Sequence, residues 1–318
     1  MAMTRANLFA PALAVLLAGC GEGRSLPGET STAADSAISR GFAGAGPAGD
    51  LTICAADGLA PVARRQAAAF MRMYRAAHLE VTPATARECA SAIASGRAGA
   101  ALIDRPLNEE ERAVLRTNGV TFTEVAIGTG ALAAIVAIDS PVRSLNAGAF
   151  QRLVAGGGVP WGELADSARG AVTGQARLAL APRNAGAVEL LARAMLPAGA
   201  LPRPAHAAAT EADVIDWVAT TPGGIGVVSL AALHADTTRR VRALALADST
   251  GRPALPSQRA IADRLYPLRQ PLVLVAVGGA GALTPAFATF ARTTPGQEAV
   301  LRAGLLPAVR PVREIVLN

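Results

Sequence analysis

Leu51-Thr52-Ile53-Cys54-Ala55-Ala56-Asp57-Gly58-Leu59-Ala60-Pro61 is the stretch whose reading decides the fold. Its apolar run, Leu51–Cys54, has the length of a buried strand. Gly58 opens a turn, and Pro61 suits the first turn of a helix, where its missing N–H has no partner to lose. Phe70, Met73, Tyr74 and Ala77 then fall at i, i+3, i+4 and i+7, one face of a helix. Strand, turn and helix in this order open a βαβ unit.

The pattern repeats outward. Leu79–Val81 reads as a strand, 86–95 as a helix ending at Gly96, Ala100–Ile103 as a strand, and Leu107–Thr117 as a helix closed by Asn118-Gly119. Val120–Ile127 and Leu132–Ile138 read as two further strands. Beyond them, 147–155, 184–195, 211–219, 284–293 and 295–303 read as helices. Leu178–Ala181, Ile225–Ser229, Val241–Leu246 and Leu272–Val277 read as strands. This alternation predicts an α/β fold with a mostly parallel sheet and helices on both faces. Ligands of such sheets sit beyond the carboxyl ends of strands, so the loops of interest are 55–60, 83–87, 104–107 and 182–187.

Composition narrows the function classes. A chain of 318 residues is long enough for two domains of about 150 residues each. With 51% hydrophobic and 17% charged residues, it can build a core and is not a charge-expanded disordered chain. The 30 basic residues are all arginine, which excludes a P-loop lysine and Schiff-base chemistry. The net charge of +6 is spread over scattered positions such as Arg64-Arg65 and Arg239-Arg240, with no basic stripe among aromatics, so no nucleic acid is expected. His78, His206 and His234 lie far apart and no H-E-x-x-H or G-x-S-x-G pattern occurs. Gly156-Gly157-Gly158 lacks the context of a dinucleotide loop. Neither an enzyme, a metal site nor a cofactor is expected, and Trp161 and Trp217 read as packing residues.

The first 19 residues read as a lipoprotein signal peptide. Arg5 supplies the positive start, and Leu8–Leu17 is an apolar segment too short to span a bilayer. It ends in Leu17-Ala18-Gly19-Cys20, which resembles a lipobox whose cysteine becomes the lipidated first residue. Residues 20–49 then read as the lipidated Cys20 and a flexible Gly/Ser/Ala-rich linker. The expected location is outside the cytoplasm, lipid-anchored to a membrane and facing the periplasm or the cell surface. Cys54 and Cys89 remain as an even pair in an oxidising compartment. They read either as a disulfide or as two small buried hydrophobes.

Six stretches in order resemble the phosphate-binding component of bacterial phosphate ABC transporters, the PstS-like group. They are Leu51-Thr52-Ile53 with Ala60-Pro61; Ser95–Ala100 leading into Asp104-Arg105-Pro106-Leu107; Phe150–Gly156 with Trp161; Thr221–Gly226; Tyr266–Leu272; and Phe290 with Pro295-Gly296-Gln297 and Gly304–Pro307. The resemblance covers roughly residues 50–310. It implies a bilobed type II periplasmic-binding-protein fold, two α/β lobes closing on a cleft by a hinge motion. One lobe would be 50–127 plus 268–312 and the other 128–267, with 313–318 a C-terminal tail. The chain would cross between lobes near 127–131 and 265–270.

The resemblance also implies a ligand set. Members bind phosphate with backbone amides at helix N-termini, hydroxyls, one arginine and one aspartate. Asp104 falls on the aspartate and Arg183 on the arginine of "R-x-x-G-S-G-T". After Gly186 the pattern departs: Ala187, Val188 and Glu189 replace Ser, Gly and Thr. Gly58, between Asp57 and Leu59, stands where a threonine is usual, and Ala86, between Thr85 and Arg87, where a serine is usual. Each lost hydrogen bond to a charged ligand is worth roughly 1.5–3 kcal/mol, so tight phosphate binding is disfavoured. Plainer readings stand beside these. Asp104 could cap the following helix, Arg183 could pair with Asp104 or Glu189, Asp57 could be a turn residue, and Arg87 could simply be exposed. Two functions follow: cleft capture of a small oxyanion, phosphate or related, for delivery to an ABC permease; or an interaction or signalling lipoprotein that keeps the scaffold without the ligand.

Overall fold

A computed structural model describes residues 46–165, 172–247 and 251–310. The signal peptide, Cys20, most of the linker and the tail lie outside the described residues. Along the chain run β1 (Gly49–Ala56), a single 3-10 turn (Asp57–Leu59), α1 (Ala60–Met73), β2 (Ala77–Ala84), α2 (Ala86–Ala94), β3 (Ala100–Ile103), α3 (Glu109–Thr117) and β4 (Phe122–Ala137). Next come β5 (Ser144–Leu145), α4 (Ala147–Val154), α5 (Trp161–Leu164), β6 (Arg177–Leu180), α6 (Gly186–Met195), β7 (His206–Ala207), α7 (Glu211–Thr220), β8 (Gly224–Ser229) and α8 (Leu230–Ala235). The remainder is β9 (Val241–Ala243), β10 (Ala245–Ala247), β11 (Pro253–Ala254), α9 (Gln258–Ala262), β12 (Arg269–Val277), α10 (Leu283–Phe290), α11 (Thr294–Arg302) and β13 (Leu306–Pro307).

The main sheet has the order β2-β1-β3-β12-β4-β8-β6-β7. Its two ends are parallel: β1 lies between β2 and β3, and β6 between β7 and β8. Its centre is antiparallel, because β4 leaves the first lobe for the second while β12 returns. The expected parallel sheet is therefore mixed where the chain crosses. The two strands read at 120–127 and 132–138 are one, β4. The apparent break, Gly128-Thr129-Gly130, is continuous strand whose glycines admit the returning chain. A Cβ at Gly128 would stand 2.8 Å from the Leu306 carbonyl oxygen. Val241–Leu246 is instead divided: β9 pairs with β4, Leu244 donates its amide to Ala134 O at 2.8 Å, and β10 joins a separate three-stranded sheet with β5 and β11. Ala77, read as helical, opens β2.

The two crossings are stitched at one residue. Leu132 N–H donates to Leu268 O at 2.9 Å, and the Tyr266 hydroxyl donates to Leu132 O at 2.8 Å. Tyr266 and Leu268 lie in the stretch 265–270, and Leu132 follows directly on 127–131. The described residues all belong to one compact unit. The main apolar cluster runs from Leu59, Phe70 and Phe287 in the first lobe to Phe150, Trp161 and Ile225 in the second. The lobes thus share continuous core. Cys54 in β1 and Cys89 in the first turn of α2 are disulfide-bonded, their Cα atoms 5.2 Å apart. The bond ties the sheet to the helix that covers it.

Candidate functional site

The carboxyl ends of β1, β2 and β3 bring Asp57, Thr85 and Asp104 to one rim of the cleft. The second lobe supplies the opposing rim from the starts of α6 and α7. Thr85 caps α2 in a capping box: its Oγ accepts from the Glu88 amide, and Glu88 accepts from the Thr85 amide. The space enclosed by Asp57, Thr85, Ala86, Asp104, Ala185, Gly186, Thr210 and Glu211 is about 20 Å³. That is room for one water and not for a tetrahedral oxyanion. Asp57, Asp104 and Glu211 line it, and no arginine among the described residues does.

Asp104 is 4% exposed. Its Oδ2 accepts from the Gln270 side chain at 3.0 Å. Its Oδ1 is buried without a hydrogen-bond partner, directly against Gly186: a Cβ there would lie 1.8 Å from Oδ1. Desolvation raises the Asp104 pKa to about 6, against the Arg105 charge and the Ala187 amide, with Glu189 adding repulsion. The carboxylate therefore stands at the helix N-terminus where an anion would otherwise sit. Asp104 does not cap the helix after Pro106; Asn108 does, by a capping box with Glu111.

Glu211 is the second plug, also 4% exposed. Ser229 donates to its Oε2 from the backbone at 2.8 Å and from Oγ at 2.6 Å. Its own amide donates to Asp57 Oδ2 at 2.9 Å, joining the lobes. Gly58 fits against this group because it has no side chain: a Cβ would lie 2.1 Å from Ser229 Oγ and 2.6 Å from Glu211 Oε2. Desolvation raises the Glu211 pKa to about 7, opposed by the Ser229 hydrogen bonds and reinforced by Asp104 and Asp57. On the far side of Gly58 a cavity of about 420 Å³, lined by Asp57, Arg64, Glu211 and Asp216 among others, reaches the same carboxylates. A larger hollow, about 800 Å³ and lined by Phe122, Val277 and Pro285 among others, touches none of them.

An ion-pair chain locks the cleft's edge. Arg105, 1% exposed, grips Glu111 with both Nη atoms at 2.7 Å and sets Nε 2.6 Å from Glu189 Oε2. Arg87, exposed as its plainer reading had it, reaches Glu189 at 3.4 Å. Burial alone would raise Glu111, but the Arg105 fork and the Asn108 amide leave it below its ordinary value. Glu189 thus neither faces the cleft unpaired nor pairs with Arg183.

Asp57, Gly58, Thr85, Ala86, Asp104 and Gly186 meet at the cleft. Leu59, Ala187 and Val188 are buried as core. Arg183 is not brought to the cleft: it is exposed and lines a separate depression with Leu196, Pro197 and Arg203. The sequence reading missed Arg105, Glu111, Glu211, Ser229 and Gln270. A signal existed for two of them. Thr210-Glu211-Ala212-Asp213 is a helix start with an acid at its first position, and Asn108-Glu109-Glu110-Glu111 is a capping box. Trp161 is core, as read, its Nε1 donating to Gly223 O at 3.2 Å. Trp217 stacks on His206, ring centroids 4.9 Å apart, and the Arg177 guanidinium lies over the Trp217 ring, 5.3 Å from its centroid.

A family model of the PBP superfamily domain matches residues 40–293. The chain belongs to the PBP superfamily, the periplasmic-binding-protein group that its bilobed sheet defines. Solved structures share that fold. One from Clostridium perfringens, described as a phosphate ABC transporter substrate-binding protein with bound phosphate, has 16% identity and TM-score 0.69, covering 82% of this chain and 100% of that one. An ABC-type phosphate transport receptor from Vibrio cholerae has 17% identity and TM-score 0.61, covering 80% and 99%. An OxyR mutant from Corynebacterium glutamicum has 15% identity and TM-score 0.53, covering 86% and 72%. Comparison with curated protein sequences finds no match. The chain thus has the fold of that superfamily. No described helix is long and apolar enough to cross a membrane.

Proposed function

We propose that this chain is an exported, lipid-anchored lipoprotein of phosphate-receptor fold whose cleft is sealed by its own side chains, and that it works as an interaction or signalling module. The supporting observation is the cleft: about 20 Å³ of space between three carboxylates. A dianion placed there would meet Asp57, Asp104 and Glu211 at short range with no cation to offset them. The ion pairs of Glu189 with Arg87 and Arg105 supply the closing contacts that a bridging ligand would otherwise make. Anchoring rests on Cys20 and the linker to residue 49, and the lobe division on 50–127 plus 268–312 against 128–267.

A second reading, oxyanion capture for ABC-type uptake, draws on Asp104. A carboxyl held at about 6 by burial can donate a hydrogen bond to an oxyanion enclosed with it between the lobes. The two readings separate by isothermal titration of phosphate into the full chain, stripped of bound ligand by unfolding and refolding. The sealed-cleft reading expects no binding heat up to millimolar phosphate. Micromolar binding would overturn it in favour of capture.

A further inference from the structure

The closed cleft leaves a charge problem unsolved by its own residues. Asp57 and Asp104 come from the first lobe and Glu211 from the second, and closure packs them around a space of about 20 Å³. Arg105, the cation beside Asp104, is already committed to Glu111 and Glu189. Arg87 lies outside and also serves Glu189. Around Glu211 stand Asp57, which accepts its amide, Gly58, Ser229 at the end of β8 and the charge of Asp104, with Arg64 and Asp216 lining the cavity beyond Gly58; both hydrogen bonds to its carboxylate come from neutral Ser229 groups. Around Asp104 stand Arg105, Glu189, Gln270 from the crossing strand, and the start of α6. Asp104 Oδ1 is buried against Gly186 without a hydrogen-bond partner of full geometry, the Ala187 amide lying near it. Glu211 draws both of its hydrogen bonds on Oε2, which leaves Oε1 free to carry a proton.

We propose that lobe closure takes up protons at Glu211 and Asp104, so that the proton is what this cleft binds and external pH sets the balance of closed and open forms. No covalent change is involved: closure binds protons and opening returns them to water. In the open form both carboxyls face solvent and titrate near their ordinary values. In the closed form burial holds them at about 7 and about 6. The closed-state values lie above the open-state ones. Closure is therefore fully supported below the ordinary carboxylate range and is lost as pH rises through 6 and 7. Between the ordinary carboxylate range and those values, each proton held only by the closed form lowers the closed-to-open ratio by about tenfold per pH unit, and above them the ratio no longer changes.

This inference rests on the sealed-cleft reading, and one experiment separates the two. Small-angle scattering of the full chain is recorded in phosphate-free buffer from about pH 5 to about pH 9. The expected result is a compact particle at the acid end that expands as pH rises towards about 7 and changes no further above it. Glu211→Gln mimics the protonated state and keeps an acceptor for Ser229, so it should stay compact further into the alkaline range. Asp104→Asn should do the same to a smaller extent, and it decides the matter if Glu211→Gln fails to fold. A radius of gyration that is flat in the wild type, or an expansion left unmoved by both substitutions, would overturn proton-coupled closure. Compaction on adding phosphate at alkaline pH would sink the sealed-cleft reading alone, because the phosphate-free profile is judged separately.

Discussion

Gly186→Ala is the most informative perturbation of the closed state. Gly186 is the first residue of α6, its φ is not left-handed, and alanine suits a helix better than glycine. The substitution therefore leaves the second lobe's own fold unstrained. Its added Cβ would stand 1.8 Å from Asp104 Oδ1, against 3.4 Å or more for an ordinary contact, so the lobes must part by some 1.6 Å there. Neither neighbour can yield cheaply. Asp104 is held by Gln270, and the Gly186 backbone is fixed by its helix. Overpacking of this kind costs about 1–3 kcal/mol, which lowers the closed-to-open ratio roughly 5- to 150-fold. Hydrogen exchange reads this directly: amides at the starts of α6 and α7 should lose protection while those of β1, β3 and β8 keep it. Gly162→Ala is the control, since a Cβ there meets nothing within 4 Å. If Gly186→Ala exchanges like the control, Asp104 does not press on α6 and the interlobe contact described above is wrong.

Arg105→Ala should destabilise the fold by about 3–5 kcal/mol in urea denaturation, because it strands the largely buried Glu111; a loss under about 1 kcal/mol would show the fork to be dispensable. Glu189→Ala removes only the interlobe partner and leaves Arg105 bonded to Glu111, so it should raise exchange at the cleft with little change in urea midpoint. Reducing Cys54–Cys89, or Cys89→Ala, should cost about 2–4 kcal/mol, since the bond closes 35 residues of chain.

Much of the fold was legible in the sequence because its signals are local. The apolar run at Leu51, Pro61 at a helix start and the Asn118-Gly119 stop each fix one element, and Ala100–Ile103 matches residue for residue, whereas the spacing from Phe70 runs past the helix end at Met73 into β2. The failures came where a non-local partner overrides a local signal. Gly128 and Gly130 read as a break, but they are strand residues that admit Leu305 and Leu306 from the far end of the chain. Leu244 reads as mid-strand, but the chain changes sheets there. The site divides in the same way. Asp104 was found because it follows a strand at the expected rim. Arg183 follows β6 equally well, but its side chain leaves the cleft, and no spacing rule reports that direction. Glu211 and Ser229 were missed because a carboxylate filling an anion's place has no motif; it exists only once Gly58 is seen pressed against it.

The central claim is that the cleft closes on the protein's own groups. Its most direct test is small-angle scattering of the ligand-stripped full chain at about pH 5, with and without millimolar phosphate. The account predicts the same compact particle in both. An expanded particle that compacts only when phosphate is added would contradict it, and would return the chain to ligand-driven closure.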